Sequence, residues 1–267
     1  MIYKAYKSTD SCNLIDEFFE LKITKSALPF QSKVLPLGKH SMAYTYKGLH
    51  KITVGEKVFN GKELIVSGQI KKSYLLNVDE ETHCQGILLH PTTLYKLTKL
   101  DVSTLNDKHI PLSVFSQSLH NILNPFFVKK MNGDNALKAL EDIIKKQPLT
   151  LNNHTKNVDK ALAIINKKEG KISINNLLEQ IPVSQKTLET KFKLMVGLTP
   201  KKYARLYRFG LLMRKCNEKE LSFKDLIEMY NLHDSSHFFK EFRYFMNQSP
   251  KSYYKNESDF IKKYLKP

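Results

Sequence analysis

The sequence predicts an α+β protein of two unlike domains, a β-barrel-like N-terminal domain and an all-α C-terminal domain. Three observations support this: short strand-like runs up to about residue 100, a helical connector, and a helical pattern that then occurs twice. We place a β-rich domain at residues 1–110, the connector at 111–150 and the all-α domain at 151–267. The length of 267 residues agrees with this division, at roughly 150 residues per domain.

The N-terminal region is predicted to be a small barrel or sandwich. Apolar and aromatic runs such as residues 42–46 and 64–66 have the composition of strands, and glycines separate the runs. Asn60-Gly61 predicts a type I′ hairpin turn, because both residues tolerate positive φ. Residues 11–23 fit either a short helix or an entering strand. The tyrosines of these runs suit a pocket lining but are more typical of ordinary sheet positions.

His83, Cys84 and His90 lie close together in the sequence and raise the question of a metal site. Strand alternation places the first two on opposite faces, and no carboxylate or second cysteine pair completes a ligand set. The sequence contains no phosphate-binding glycine loop, nucleophile elbow or zinc-protease motif. We therefore expect no metal, no cofactor and no enzymatic activity.

The connector is predicted to be helical because Ala136, Leu137, Leu140 and Ile144 recur at helical spacing. It fits a plain core helix or a dimerisation helix. The polar stretch 147–155 contains a proline and marks the boundary before the C-terminal domain.

The C-terminal region contains two copies of one helix-turn-helix pattern, about 50 residues apart. The corresponding residues are Leu188 and Phe238, Phe192 and Phe242, Lys193 and Arg243, Met195 and Phe245, and Thr199-Pro200-x-x-Tyr203 and Ser249-Pro250-x-x-Tyr253. The first copy is predicted to contain helix 174–181, a turn, and a second helix capped by Ser184. The second copy contains helix 223–230, a turn, and a helix capped by Asp234.

The second helix of each copy has an apolar stripe on one side and basic and hydroxyl residues on the other. A helix that enters the DNA major groove needs this arrangement, because the stripe anchors it while the outer face contacts bases and phosphates. One such face alone is equally typical of a solvated helix, and the duplication favours DNA. The predicted DNA-binding residues are Ser184, Lys186, Thr190, Lys193, Ser235, Ser236, Lys240 and Arg243.

The charge distribution agrees with a nucleic-acid partner. The chain has a net charge of +17, of which residues 151–267 carry +11 together with all four arginines. No apolar run approaches the roughly 18 residues of a membrane span, and the N-terminus lacks a signal-peptide core. Three well-separated cysteines suit a reducing compartment, so we expect a cytoplasmic protein that does not bind membranes.

Residues 155–256 resemble the AraC/XylS family of bacterial transcription regulators. The motifs that carry the resemblance are Ser184-x-x-x-Leu188-x-x-x-Phe192-Lys193, Gly197-Leu198-Thr199-Pro200-Lys201-Lys202-Tyr203, Arg208, residues 234–242, and Ser249-Pro250-x-x-Tyr253. The resemblance implies two recognition helices that enter successive major-groove segments. It places the base-facing positions at Lys186 and Thr190, and at Ser236 and Lys240.

The sequence departs from the family pattern at the crossing points of the helices. Leu178, Ile227 and Leu212 stand where the family usually has alanine, and Pro182 and Asn231 replace the turn glycines. Pro182 cannot adopt the left-handed conformation, so the first turn must differ locally. Gly210 weakens the helix that bridges the two copies by about 1 kcal/mol relative to alanine. The DNA sequence preferred by relatives is therefore not carried over.

The N-terminal region looks like the cupin-like domains attached to many such regulators. Residues 66–70 and 86–91 carry this resemblance. This resemblance implies that residues 1–110 are a regulatory or sensor domain, for effector sensing, dimerisation or both. The AraC/XylS resemblance of residues 155–256 implies double-stranded DNA as partner. RNA polymerase, a small-molecule effector and a second copy of the chain are further candidate partners. Two alternatives stay open at this point. One is an interaction protein with degenerate DNA binding, and the other is a cupin-like enzyme fused to a DNA-binding domain.

Overall fold

A computed structural model describes residues 1–219, 235–255 and 259–265. The side chains of residues 218–219, 235–237, 254–255, 259 and 261 lie outside this description. The N-terminal part is an antiparallel sheet of eight strands. These are β1 (Ile2–Lys7), β2 (Ile15–Ile23), β3 (Phe30–Val34), β4 (His40–Val54), β5 (Lys57–Ser67), β6 (Tyr74–Val78), β7 (Thr82–Leu89) and β8 (His109–Pro111).

The strands form a barrel-like wall around an apolar interior. The main path runs in the order β1-β2-β7-β4-β5-β8, and β6 pairs with both β3 and the distal half of β4. β4 reaches two parts of the sheet because its register shifts between Thr45 and His50. Within residues 11–23, for which the sequence left helix and strand open, residues 15–23 form a strand paired on both sides.

The hairpin between β4 and β5 turns at Gly55-Glu56. Val54 pairs with Lys57, and Gly55 has a φ of +60°. The predicted turn at Asn60-Gly61 is wrong, since both residues lie inside β5. A Cβ on Gly61 would lie 1.8 Å from Nε2 of His50, so this glycine is required by close cross-strand packing.

The connector is helical, as predicted, and it packs against the sheet. Its helices are α2 (Leu112–Phe115), α3 (Gln117–Lys129) and α4 (Gly133–Lys145), and the short helix α1 (Thr93–Thr98) precedes them. Phe127 and Leu140 are fully buried in one cluster with Phe18 and Ile87 of the sheet. The limits of the three domains stay predictions.

The C-terminal part is all-α. Its described helices are α5 (Asn153–Lys167), α6 (Ile174–Leu178), α7 (Gln185–Val196), α8 (Pro200–Lys219), α9 (Ser235–Met246), α10 (Pro250–Lys255) and α11 (Asp259–Tyr264). α8 is the bridging helix, and α7 and α9 are the candidate recognition helices. The predicted helix 223–230, Ile227, Asn231 and the Asp234 cap lie outside the described residues. The sheet followed by the helices confirms the predicted α+β class.

The two parts share an apolar contact along the bridging helix. Leu35 and Leu37, from the loop before β4, belong to the same buried cluster as Leu206 and Phe209 of α8. Gly210 faces this loop, and a Cβ built on it would lie 3.6 Å from the nearest atoms of Leu37 and Pro36. This is an ordinary van der Waals distance.

Gly210→Ala is therefore expected to raise the free energy of unfolding by about 1 kcal/mol, because alanine restricts the unfolded chain and favours helix. Gly197→Ala is the matched control and is expected to destabilise. Gly197 has a φ of +91°, and its Cβ would lie 2.7 Å from Oδ1 of Asn106. Urea unfolding of both variants tests this pair, and a loss of stability in Gly210→Ala would contradict it.

None of the described helices combines the length and the apolar composition that crossing a membrane requires.

Candidate nucleic-acid interface

The first candidate recognition helix, α7, begins after a serine cap and ends at a glycine. Oγ of Ser184 accepts a hydrogen bond from the backbone N–H of Thr187 at 3.2 Å, as the N-cap prediction states. Gly197 ends the helix in the left-handed conformation, at a φ of +91°. Ser184 thus has a structural role at the exposed start of the helix.

The predicted stripe of α7 is buried and the predicted DNA-facing side is exposed. Leu188, Phe192 and Met195 are at most 1% exposed. The predicted contact residues on the other side, Lys186, Thr190 and Lys193, are all exposed. The periodicity argument therefore gives the correct orientation of this helix.

The second recognition helix, α9, repeats this arrangement. Its stripe of Phe238, Phe242 and Phe245 is buried. Lys240 and Arg243 are exposed. The other two predicted residues, Ser235 and Ser236, lie in the first turn, and their side chains are outside the described part. Contact of any of these residues with DNA stays a prediction.

Glu241 ties α9 to the bridging helix. Its side chain is 5% exposed, and Oε1 lies 2.6 Å from Nε of Arg205. Oε2 lies 3.6 Å from a guanidinium nitrogen of Arg208. The sequence analysis did not include Glu241 among the functional residues. The buried carboxylate and its two ion pairs therefore hold α9 in position against the bridging helix.

Tyr244 stands at a junction of three elements. The guanidinium of Arg205, on α8, lies 4.4 Å from the centre of its ring. Nζ of Lys72, from the loop between β5 and β6, lies 5.2 Å from the same centre. Cation–π contacts from two elements therefore meet on one residue of α9.

The N-terminal domain donates hydrogen bonds to the last carbonyls of both recognition helices. Nδ2 of Asn106 donates to the carbonyl of Gly197 at 2.6 Å, at the end of α7. The backbone N–H of Ser73 donates to Phe245 at 2.6 Å, and Nζ of Lys33 donates to Met246 at 2.9 Å. Helix ends leave carbonyls without internal partners, so these donors satisfy groups that the helices cannot satisfy alone.

The described residues contain no cluster of three or more His, Cys, Asp or Glu side chains that could hold a metal ion. Cys84 is buried in the barrel wall, and burial raises the pKa of its thiol to about 12. His83 lies beside the ring of Tyr46, 5.3 Å between centres.

The barrel contains a mainly apolar, partly open cavity of about 100 Å³. Every strand contributes to its wall, and Phe260 and Tyr264 of α11 cover one side. His50 and His109 line it, and burial lowers the pKa of each imidazole to about 4, so both are neutral at pH 7. Nδ1 of His109 lies 2.6 Å from Oγ of Ser67.

A second cavity, of about 230 Å³, lies between the domains and is mainly polar. Lys39 and Asp16 form an ion pair of 3.0 Å at its edge. Arg214 and Tyr207 of the bridging helix also line it.

Comparison with known proteins agrees with the helical repeat. A family model described as a helix-turn-helix domain matches residues 177–256, which contain both recognition helices. The C-terminal domain is an AraC-type helix-turn-helix domain. A second family model, a domain of unknown function (DUF6597), matches residues 12–111. Comparison with curated protein sequences gives no match.

Two solved structures share the fold of this chain over nearly its whole length. ToxT from Vibrio cholerae O395, bound to (E)-4-(8-methylnaphthalen-1-yl)but-3-enoic acid, is 12% identical with a TM-score of 0.50, covering 98% of this chain and 100% of that one. An apo variant of ToxT from Vibrio cholerae strain SCE256 is 11% identical with a TM-score of 0.50, covering 93% and 98%. The AraC-type helix-turn-helix domain identifies a DNA-binding transcription regulator.

Proposed function

We propose that this regulator reads two adjacent major-groove segments, with α7 in one and α9 in the other. The observation that carries the proposal is the duplicated exposed basic face opposite a duplicated buried stripe. Lys186, Thr190 and Lys240 would contact base edges, and Lys193 and Arg243 would contact phosphates. Two readers on one chain suit groove segments about 34 Å apart.

Lys186→Ala and Lys240→Ala are expected to weaken binding to the cognate promoter about tenfold while changing binding to random DNA much less. Each removed base contact contributes roughly 1–3 kcal/mol of discrimination. Genome-wide mapping of bound DNA identifies the promoter, and fluorescence anisotropy on both DNAs gives the dissociation constants. Equal losses on the two DNAs would refute base recognition at these positions.

Two controls separate base contacts from general charge. Lys193→Ala and Arg243→Ala are expected to weaken binding to both DNAs equally. Each is also expected to reduce the slope of the logarithm of the binding constant against the logarithm of the salt concentration by about one. Lys138→Ala removes an exposed lysine of α4, in the connector, and is expected to change neither affinity. A loss in Lys138→Ala as large as in Lys186→Ala would contradict a localised interface.

We further propose that a small molecule bound in the N-terminal domain modulates DNA binding. Two observations support this: the barrel contains a cavity, and α11 of the C-terminal domain covers one side of that cavity. ToxT, which shares the fold, is described with a small organic acid bound. Contact with RNA polymerase, association of two copies and a cytoplasmic location stay predictions from the sequence.

A further inference from the structure

The wall of the barrel cavity specifies the chemistry of a ligand. Lining side chains come from aliphatic and aromatic residues, two neutral histidines and a few hydroxyl groups. None of the described lining residues is a lysine, arginine, aspartate or glutamate. A carboxylate or ammonium group brought into this space would lose its hydration without a charged partner, which is strongly unfavourable.

One buried polar atom of the wall indicates that the ligand carries a hydrogen-bonding group. His109 is 5% exposed, and its Nδ1 is paired with Ser67. Nε2 of the same ring is buried and has no hydrogen-bond partner among the described residues. Buried polar atoms are normally satisfied, and one that is not calls for an explanation. A ligand that bonds to Nε2 would supply it.

The orientation of this imidazole is fixed by its neighbours. The ring of Tyr74 contacts it edge-on, 5.1 Å between centres, and the ring of Phe59 lies 5.5 Å away. With Nδ1 held by Ser67, the unpaired nitrogen has a defined position. The side chain of His109 is therefore already ordered, and binding of a ligand would cost little additional conformational entropy there.

The size of the cavity limits the ligand to at most about one six-membered ring. Its volume is about 100 Å³, and an adjoining space of about 30 Å³ shares His109, Ser67 and Tyr264 as lining. For comparison, an apolar protein cavity of roughly 150 Å³ holds benzene. A long acyl chain would not fit without displacing α11.

We propose that the cavity binds a neutral, ring-sized, mainly apolar molecule with one hydroxyl or carbonyl group, which bonds to Nε2 of His109. This inference rests on the proposed function, since it names the class of effector. Phe260 and Tyr264 would contact the same molecule from the C-terminal domain. Phe260 is anchored edge-on against the rings of Tyr3 and Phe30, at 5.7 and 5.8 Å.

Phenol and toluene are the probes, because they have nearly the same shape and differ only in whether the ring carries a hydroxyl or a methyl group. A phenol hydroxyl serves either tautomer of His109, since it both donates and accepts. Ligand-observed NMR on the full chain at pH 7 gives the two dissociation constants. His109→Phe replaces the imidazole with a phenyl ring and removes Nε2 together with Nδ1, the partner of Ser67. It is expected to weaken phenol binding about tenfold and to leave toluene binding unchanged.

The controls make each outcome decisive. His83→Phe is the same substitution outside the cavity and is expected to change neither affinity. Thermal unfolding checks that His109→Phe is folded before the comparison. Failure of phenol to bind, an equal loss for phenol and toluene in His109→Phe, or tighter binding of benzoate than of phenol would each overturn the inference. DNA binding is measured separately, so specific DNA recognition without phenol binding refutes this ligand class and leaves the DNA-reading function standing.

Discussion

Phe242→Ala is expected to lower the free energy of unfolding of the C-terminal domain by about 3–5 kcal/mol. The side chain is fully buried, and its ring contacts those of Phe209, Phe238 and Tyr253, with centres 5.6 to 5.9 Å apart. Removing it leaves a cavity beneath α9, where surrounding rings cannot collapse without losing their own contacts. Calorimetry or urea unfolding measures the loss.

The duplicated pattern provides a matched variant for this prediction. Phe192 is the equivalent residue of α7, is also fully buried, and contacts Tyr203. In a DNA footprint, Phe192→Ala is expected to lose protection on the groove segment of α7, and Phe242→Ala on that of α9. Identical loss of both segments in both variants would contradict two separable reading units.

Glu241→Ala is expected to cost about 2–3 kcal/mol of stability and to weaken DNA binding by more than tenfold. The variant leaves Arg205 and Arg208 without this carboxylate, at the crossing of α8 and α9. Both arginines are partly exposed and can be rehydrated, so the expected cost is below that of a fully buried pair. The orientation of α9 is lost together with the ion pair.

Glu189→Ala is the control for this prediction. Glu189 lies on α7, is only half-buried, and accepts a hydrogen bond from the side chain of Gln185 on the exposed side of the helix. Removing it is expected to change stability by less than about 0.5 kcal/mol. Anisotropy and urea unfolding are measured on both variants. Similar values for the two would show that burial of Glu241 has no role in DNA reading.

Local chemistry allowed much of the C-terminal domain to be predicted from sequence. The stripe of Leu188, Phe192 and Met195 follows from the helical repeat of 3.6 residues, and the cap at Ser184 from one hydroxyl group. Both depend on residues within a dozen positions of each other. The exposure of Lys186 and Lys240 follows from the same geometry.

Features that depend on distant residues could not be predicted in this way. The contact between Lys33 and Met246 joins residues 213 positions apart, and nothing in either local segment indicates it. Gly61 has a turn-forming neighbour, yet its role is set by His50 across the sheet. Nε2 of His109, which has no hydrogen-bond partner among the described residues, becomes buried only when strands from distant parts of the chain pack around it.

The hydrogen bonds from Asn106, Ser73 and Lys33 to the ends of α7 and α9 have a consequence for evolution. They tie the ends of the two candidate recognition helices to β3 and to two loops of the N-terminal domain, and so set the distance between these helices. A change in these loops would retune the distance between preferred half-sites without altering any side chain that faces a base. If α7 and α9 read DNA as proposed, the spacing of half-sites and the preference for bases would be encoded in different parts of the gene and could diverge separately.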